Sequence, residues 1–373
     1  MSGGPRLLLT TDAVGGVWQY SVDLARALEP LGIEPVLAVL GPSPSRGQLR
    51  SAKGLRLIDT GLPLDWLAED VAALNGAGAK LARLARRVGA DIVQTGNAAL
   101  LAEAYFEMPT VAVQHSCLAS WWQAVRGTKL PSDFAWRSDL VAAGLEAADL
   151  VVAPTAAFAS VTRRIYELGA TPRVVHNGRA ALPLEPRAPH DCVFTAGRLW
   201  DEGKNLATLD EAAALLPVPV HAAGPLAGPN GAAIAFETVH ALDELDEAGI
   251  ATWLSARPVF VSTALYEPFG LAVLEAAAAG CPLVLSDIPT FRELWDGAAL
   301  FVPARDSKGF ARAIGDLVGD DGARDSLGRA ARRRAARYAP AATADAMATL
   351  YLDLLERRRR PRASAPATLA GAA

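Results

Sequence analysis

The 373-residue chain is 51% hydrophobic and 20% charged, which suits roughly two folded domains at about 150 residues each. Its net charge of −4 argues against the strong positive field of a nucleic-acid binder. Three scattered cysteines, Cys117, Cys192 and Cys281, make neither a disulfide framework nor a zinc cluster and suit a reducing cytoplasm.

No basic n-region with a long apolar run opens the chain, and its uncharged stretches are interrupted by Pro, Gly, Gln and His, so no secretory signal or transmembrane span is expected. In chain order, residues 6–10 read as a strand and 17–28 as a helix. Strands follow at 35–40 and 55–59, then a helix at 66–88 with a weak glycine-containing middle. Residues 91–95, 110–114 and 150–153 read as strands; Thr155 is an N-cap for a helix running to 168, and 173–176 closes the series. The stretch 180–191 carries Pro183, Pro186 and Pro189 without periodicity and reads as a hinge. The alternation restarts with strands at 192–196, 218–222, 238–242, 258–262, 282–286 and 299–302. Helices at 205–216, 244–254, 269–279, 307–318, 322–336 and 341–360 are interleaved or follow.

Strands alternating with helices imply parallel βαβ units, here twice. The expected architecture is α/β, with two Rossmann-like doubly wound domains facing across a cleft. The divisions are 1–182, a hinge at 183–190, 191–339, a final helix at 340–360 and a flexible tail at 361–373. Ligands of such sheets sit at the carboxyl ends of strands, so the chemistry is sought just after them.

Gly15-Gly16 follows the first strand and opens a helix, where backbone N–H groups can approach an anion or simply form a tight turn. Arg198 and Lys204 flank the loop after the first strand of the second domain, ahead of a helix. Two cations and a helix N-terminus fit a diphosphate. Glu267-Pro-Phe269-Gly270-Leu271-Ala-Val-Leu-Glu275 is the most specific element. Eight residues is just over two helical turns, so the two carboxylates can share a face if Glu267 stands at the helix mouth. Glu275 lies in an apolar helix and needs a ligand hydroxyl or a structural partner such as an Arg. His115 ends a strand and suits hydroxyl binding or acid–base work; His176, before Asn177-Gly178, suits a turn better. Trp121, Trp122 and Trp136 follow His115 closely, as a sugar platform or as core. No Asp-x-Asp occurs, so a built-in metal site is not expected.

These pieces, in this order, resemble the retaining, metal-independent glycosyltransferases of family 4 with the GT-B fold. The resemblance spans residues 6 to about 355. It implies that Arg198 and Lys204 bind the diphosphate of a nucleotide sugar and that Gly15 and Gly16 approach the phosphates. It implies Glu267 at the donor-sugar hydroxyls, the amides of Phe269, Gly270 and Leu271 beside sugar and phosphate, Glu275 at the ribose, and His115 at the reaction centre. It implies catalysis by Glu267, His115, Arg198 and Lys204, with no cofactor beyond the donor and no metal. The last helix is expected to cross back onto the first domain.

The expected activity is hexose transfer from a nucleotide-diphosphate sugar to a sugar or glycoconjugate acceptor, in cell-surface polysaccharide or glycoconjugate biosynthesis. Trp121 and Trp122 lie where the resemblance puts the acceptor. A sugar phosphorylase, a nucleotide-sugar hydrolase and a non-catalytic sugar-nucleotide binder are the alternatives. Residues 1–183 hold 17 Lys/Arg and 16 Asp/Glu, so at most peripheral membrane contact is expected. The Arg357–Arg360 run reads as a solvated helix end.

Overall fold

A computed structural model describes residues 4–359. The expected tail at 361–373, Arg360 and residues 1–3 lie outside the described residues.

The first sheet contains β1 (Arg6–Asp12), β2 (Glu34–Leu40), β3 (Arg56–Leu62), β4 (Ile92–Thr95), β5 (Thr110–Val113), β6 (Leu150–Ala153) and β7 (Arg173–Val174). Their order is β3-β2-β1-β4-β5-β6-β7, with every neighbouring pair parallel. Its helices are α1 (Gly16–Leu28), α2 (Arg46–Ser51), α3 (Val71–Val88), α4 (Leu118–Arg126), α5 (Ser132–Ala147) and α6 (Ala156–Ile165). Successive residues of a strand point to opposite faces, and both faces are apolar. Leu8, Val36 and Ala38 pack under α3 and α5, whereas Leu7, Leu9 and Leu37 pack under α1.

The second sheet contains β8 (Val193–Ala196), β9 (Val220–Ala223), β10 (His240–Ala241), β11 (Val259–Ser262), β12 (Leu283–Ser286) and β13 (Leu300–Val302), in the order β10-β9-β8-β11-β12-β13. It too is wholly parallel. Around it lie α7 (Leu206–Ala213), α8 (Glu247–Ser255), α9 (Leu271–Ala279), α10 (Pro289–Trp295), α11 (Ser307–Val318) and α12 (Asp321–Ala335). The strand order reverses between β1 and β4 in one sheet and between β8 and β11 in the other. A crevice therefore opens at each carboxyl edge.

The last helix, α13 (Pro340–Arg359), leaves the second domain and packs on α1. Ala344, Met347 and Tyr351 enter the same core as Trp18 and Val22. The chain thus passes between the domains twice, and the two passages touch. Arg179 N donates to Tyr338 O at 3.1 Å, and a Cβ on Gly178 would fall 2.5 Å from the Ala339 carbonyl. The proline-bearing segment lies along the second domain, with Glu185 N bonded to Ser255 Oγ and His190 N to Ala256 O.

Several elements differ from expectation. The helix expected from residue 66 begins at Val71, because Asp70 caps it by accepting from Ala73 N, while Asp65 Oδ1 ties down Trp66 N instead. Thr155 caps α6 by accepting from Phe158 N. Helices α2, α4, α5 and α10 are not in the sequence reading. Of α5's sixteen residues, Leu140, Val141, Gly144 and Leu145 are buried, too narrow a stripe to show as a periodic face.

Candidate active site

The carboxyl edges of the two sheets meet, and the glycine turns let them approach. Gly15 caps α1, and a Cβ on it would stand 2.9 Å from Arg198 Nη1 of the second domain. A Cβ on Gly16 would stand 3.2 Å from Leu271 Cδ1, the first residue of α9. Two helix N-termini, each with unsatisfied N–H groups, therefore face one another with Arg198 beside them.

Arg198 follows β8. Its Nη2 donates to Asp201 Oδ2 at 2.9 Å, its guanidinium lies 5.8 Å from the Trp200 ring centre, and its buried Nε has no partner within the described residues. Across the cleft, Asp12 ends β1 and accepts from Val14 N. Burial raises the Asp12 carboxyl above its ordinary value, against the opposing effect of the Val14 amide and Arg198. Lys204 Nζ forms a short ion pair with Glu267 Oε2, both side chains being largely buried. Asn205 next to it adopts φ 55° and anchors the loop through Thr263 O and Ala304 O.

The Glu267 element departs from the helical reading. Helix α9 starts at Leu271, and Gly270 caps it with φ 92°, so Glu267 stands in the preceding loop. A side chain at Gly270 would be strained by the positive φ and would press on Phe291, whose ring lies 3.1 Å from a Cβ there. The two carboxylates consequently do not share a helical face. Glu267 pairs with Lys204, while Glu275 Oε1 accepts from Arg179 Nε at 2.6 Å. Arg179 also donates through Nη1 to Asp23 Oδ2 of α1 at 2.9 Å and approaches Glu247 at 3.6 Å. Burial raises the Glu275 carboxyl above its ordinary range, with Arg179 opposing it. Arg179's own burial would weaken its charge, but Glu275 and Asp23 outweigh that and hold the guanidinium protonated.

Of the other expected residues, Phe269 is buried in the second core and meets Tyr338 edge-on at 5.7 Å. His115 follows β5, packs edge-on against Tyr20 at 4.4 Å and backs onto Gly96. Enclosure lowers its imidazole to about 4, so it is neutral at physiological pH. His176 bonds Glu293, whose carboxylate also accepts from Ala156 N and Ala157 N at the start of α6. Trp136 lies under the Arg137 guanidinium, 4.2 Å from its ring centre. Trp122 Nε1 donates to Thr128 Oγ1 at 3.1 Å. Trp121 belongs to the cross-domain contact: its Nε1 donates to Asp201 Oδ1 at 2.9 Å.

The sequence reading missed Asp201 and Arg179. Asp201 stands three residues after Arg198, an ion-pair spacing, and Arg179 directly follows Asn177-Gly178. Those spacings were the available signals. Among the described residues no group of three or more His, Cys, Asp or Glu side chains is arranged to hold a metal. No helix among them is long and apolar enough to cross a membrane.

Comparison with known proteins follows the two halves of the chain. Residues 14–179 match the family model described as Glycosyltransferase Family 4, and residues 190–320 match that described as Glycosyl transferases group 1. A glycogen synthase of Mycobacterium tuberculosis is 37% identical over 123 residues, 32% of this chain and 30% of that protein. The matched stretch thus spans about a third of that relative. A D-inositol 3-phosphate glycosyltransferase of Streptomyces bingchenggensis is 27% identical over 416 residues, covering 94% of this chain and 88% of that one. The structure of Anabaena HepE in complex with UDP and glucose superposes with a TM-score of 0.73 at 17% identity, covering 93% of this chain and 99% of the other. With one family model on each domain and this fold across both, the chain belongs to the group 1 glycosyltransferases of the GT-B fold.

Proposed function

We propose that this chain transfers a hexose, with retention, from a nucleotide-diphosphate sugar to a sugar or glycoconjugate acceptor, without a metal ion. The observation that carries this reading is the meeting of Arg198 with the Gly15 turn, beside the facing N-termini of α1 and α9. A departing diphosphate gathers negative charge, and preorganised donors at that point lower the barrier. In this reading Arg198, Lys204 and the two helix ends supply that stabilisation. The Lys204–Glu267 pair keeps the ammonium neutralised until phosphate arrives; Glu267 then turns to the donor-sugar hydroxyls.

The glycosidic C–O bond to the diphosphate breaks through an oxocarbenium-like centre, and the acceptor hydroxyl oxygen forms the new bond from the leaving-group face, passing its proton to the departing diphosphate oxygen. No carboxylate nucleophile is then required on the opposite face. The neutral His115 holds a sugar hydroxyl on the first domain, and Glu275, with one oxygen engaged by Arg179, offers the other to the ribose. Relatives whose names carry glycogen synthase and D-inositol 3-phosphate glycosyltransferase, and a neighbour holding UDP and glucose, support a nucleotide-sugar donor and a hydroxylated acceptor.

Thermal-shift screening of UDP-, GDP- and ADP-sugars tests the donor class, because a ligand bound by the folded state raises the melting temperature. Turnover should then survive EDTA and yield a glycosylated acceptor. Complete loss on chelation with recovery by manganese would remove the metal-free reading. Sugar phosphate or free sugar as the sole product would favour a phosphorylase or a hydrolase.

A further inference from the structure

We propose that Trp121 and Asp201 are positioning residues that couple domain closure to the alignment of Arg198. This inference rests on the clamp reading above and adds a mechanism by which the first domain controls it. Trp121 sits on α4 of the first domain, whereas Asp201 and Arg198 share one loop of the second. The indole N–H donates to Asp201 Oδ1 at 2.9 Å, and Arg198 Nη2 donates to the other oxygen of the same carboxylate at 2.9 Å. Gly203 N donates to Oδ1 as well, so the carboxylate is held from three directions with 8% of its side chain exposed.

The contact requires close approach. A Cβ on Gly203 would stand 2.8 Å from Trp121 Nε1, so glycine there admits the indole. Helix α4 is fastened to the second domain at further points, among them the Arg126–Glu202 ion pair at 2.7 Å, the Ser120 hydroxyl against the Tyr266 hydroxyl at 2.7 Å, and Arg305 donating to Val125 O at 3.2 Å. Arg198 has few other restraints. Its Nε is buried without a partner among the described residues, and Nη1 abuts the Gly15 turn.

When the cleft opens, α4 withdraws and the indole N–H leaves Asp201. The carboxylate is then held on Oδ1 by the Gly203 amide alone, turns about that single bond and takes the Arg198 guanidinium with it. When the cleft closes, Oδ1 is occupied by the indole, Oδ2 is left to Arg198, and the guanidinium is fixed against the α1 turn. The clamp is thus complete only in the closed enzyme, where water is excluded from the reacting centre. Trp121 is assigned to this relay and not to an acceptor platform.

Isothermal titration with inorganic pyrophosphate tests the relay, because that probe carries the group the clamp holds without base or sugar. Wild type should bind it and Arg198→Ala should not. Failure of that pair would strike the clamp reading itself. Given that binding, Trp121→Phe keeps a ring but removes the N–H and should weaken pyrophosphate about tenfold, the size of one charge-assisted hydrogen bond. In an Asp201→Asn background the same substitution should change affinity by less than about twofold, since both act through one carboxylate. Circular dichroism checks folding, and Trp121→Leu serves the same cycle if the Phe variant does not fold. Wild-type affinity in the single variant, or a full tenfold loss repeated in the Asp201→Asn background, would overturn the relay.

Discussion

Glu267 and Glu275 stand eight residues apart in one motif, and each holds one cation, but the two pairs are built differently. Glu275 and Arg179 are 15% and 6% exposed, and Arg179 is also bonded to Asp23 of α1, in the domain opposite Glu275. Glu267 and Lys204 are 15% and 21% exposed, and both belong to the second domain. The first pair is a buried junction whose charges have fixed partners on both sides of the cleft. The second lies next to the loop whose Arg198 meets the α1 turn, where, on the proposed reading, an incoming anion exchanges for the carboxylate. On the proposed reading the same chemistry serves in one place as a joint, with Glu275 keeping one oxygen for the ribose, and in the other as an anion-binding group. Burial and the number of partners decide which.

The sharpest way to break this comparison is Arg179→Leu. It strands the carboxylates of Asp23 and Glu275 in a buried site, and breaking a buried pair in this way costs about 3–5 kcal/mol. Denaturant titration should show that loss, together with domains that separate more readily in X-ray scattering. A variant as stable as wild type would mean that the junction is not holding the halves together. Next in size are Arg198→Ala and Lys204→Ala, which should each cut turnover by about 10²–10³, since losing one donor to developing charge has that cost, with a smaller loss of stability than Arg179→Leu because each strands one carboxylate and not two. Near-normal turnover in either would refute its place in the clamp, and a large loss of stability would erase the contrast with Arg179.

The smallest effect concerns the uncharged wall opposite. The ordinary His115 value of 6.5 is lowered to about 4 by enclosure. The unfolded chain therefore binds a proton in that window that the folded chain refuses. Stability tied to this residue is present above pH 6.5 and is lost as pH falls towards 4. His115→Gln should flatten that part of the melting-temperature profile. An unaltered acid limb would show that other groups set it.

Much of the fold was legible because buried parallel strands read as short apolar runs between turns. The run 258–262 is an example, appearing as Val259–Ser262. The unread helices lack that contrast: α2 rests on a capping box between Ser45 and Gln48 with none of its residues buried. In the site, Arg198, Lys204 and Glu267 were legible by residue type and position after strands. That Lys204 would pair with Glu267, 63 positions on, was not, because nothing local ties the two loops. Arg179 and Asp23 are 156 positions apart, on the segment after β7 and on α1, and no local spacing ties them together. Helical spacing also misled at Glu267, since the left-handed Gly270 resets the chain direction before α9 begins.

The two passages of the chain between the domains run side by side, with Gly178 pressed against Ala339 and Pro340. A single tether would let one half swivel about any axis, whereas two tethers far apart would lock the halves rigidly. Adjacent tethers act as a fulcrum: they remove sliding and leave rotation about one line. The edge of the cleft farthest from that line travels most for a given turn. A small adjustment at 178–179 and 338–340 would thereby be geared into a large displacement at the mouth of the cleft.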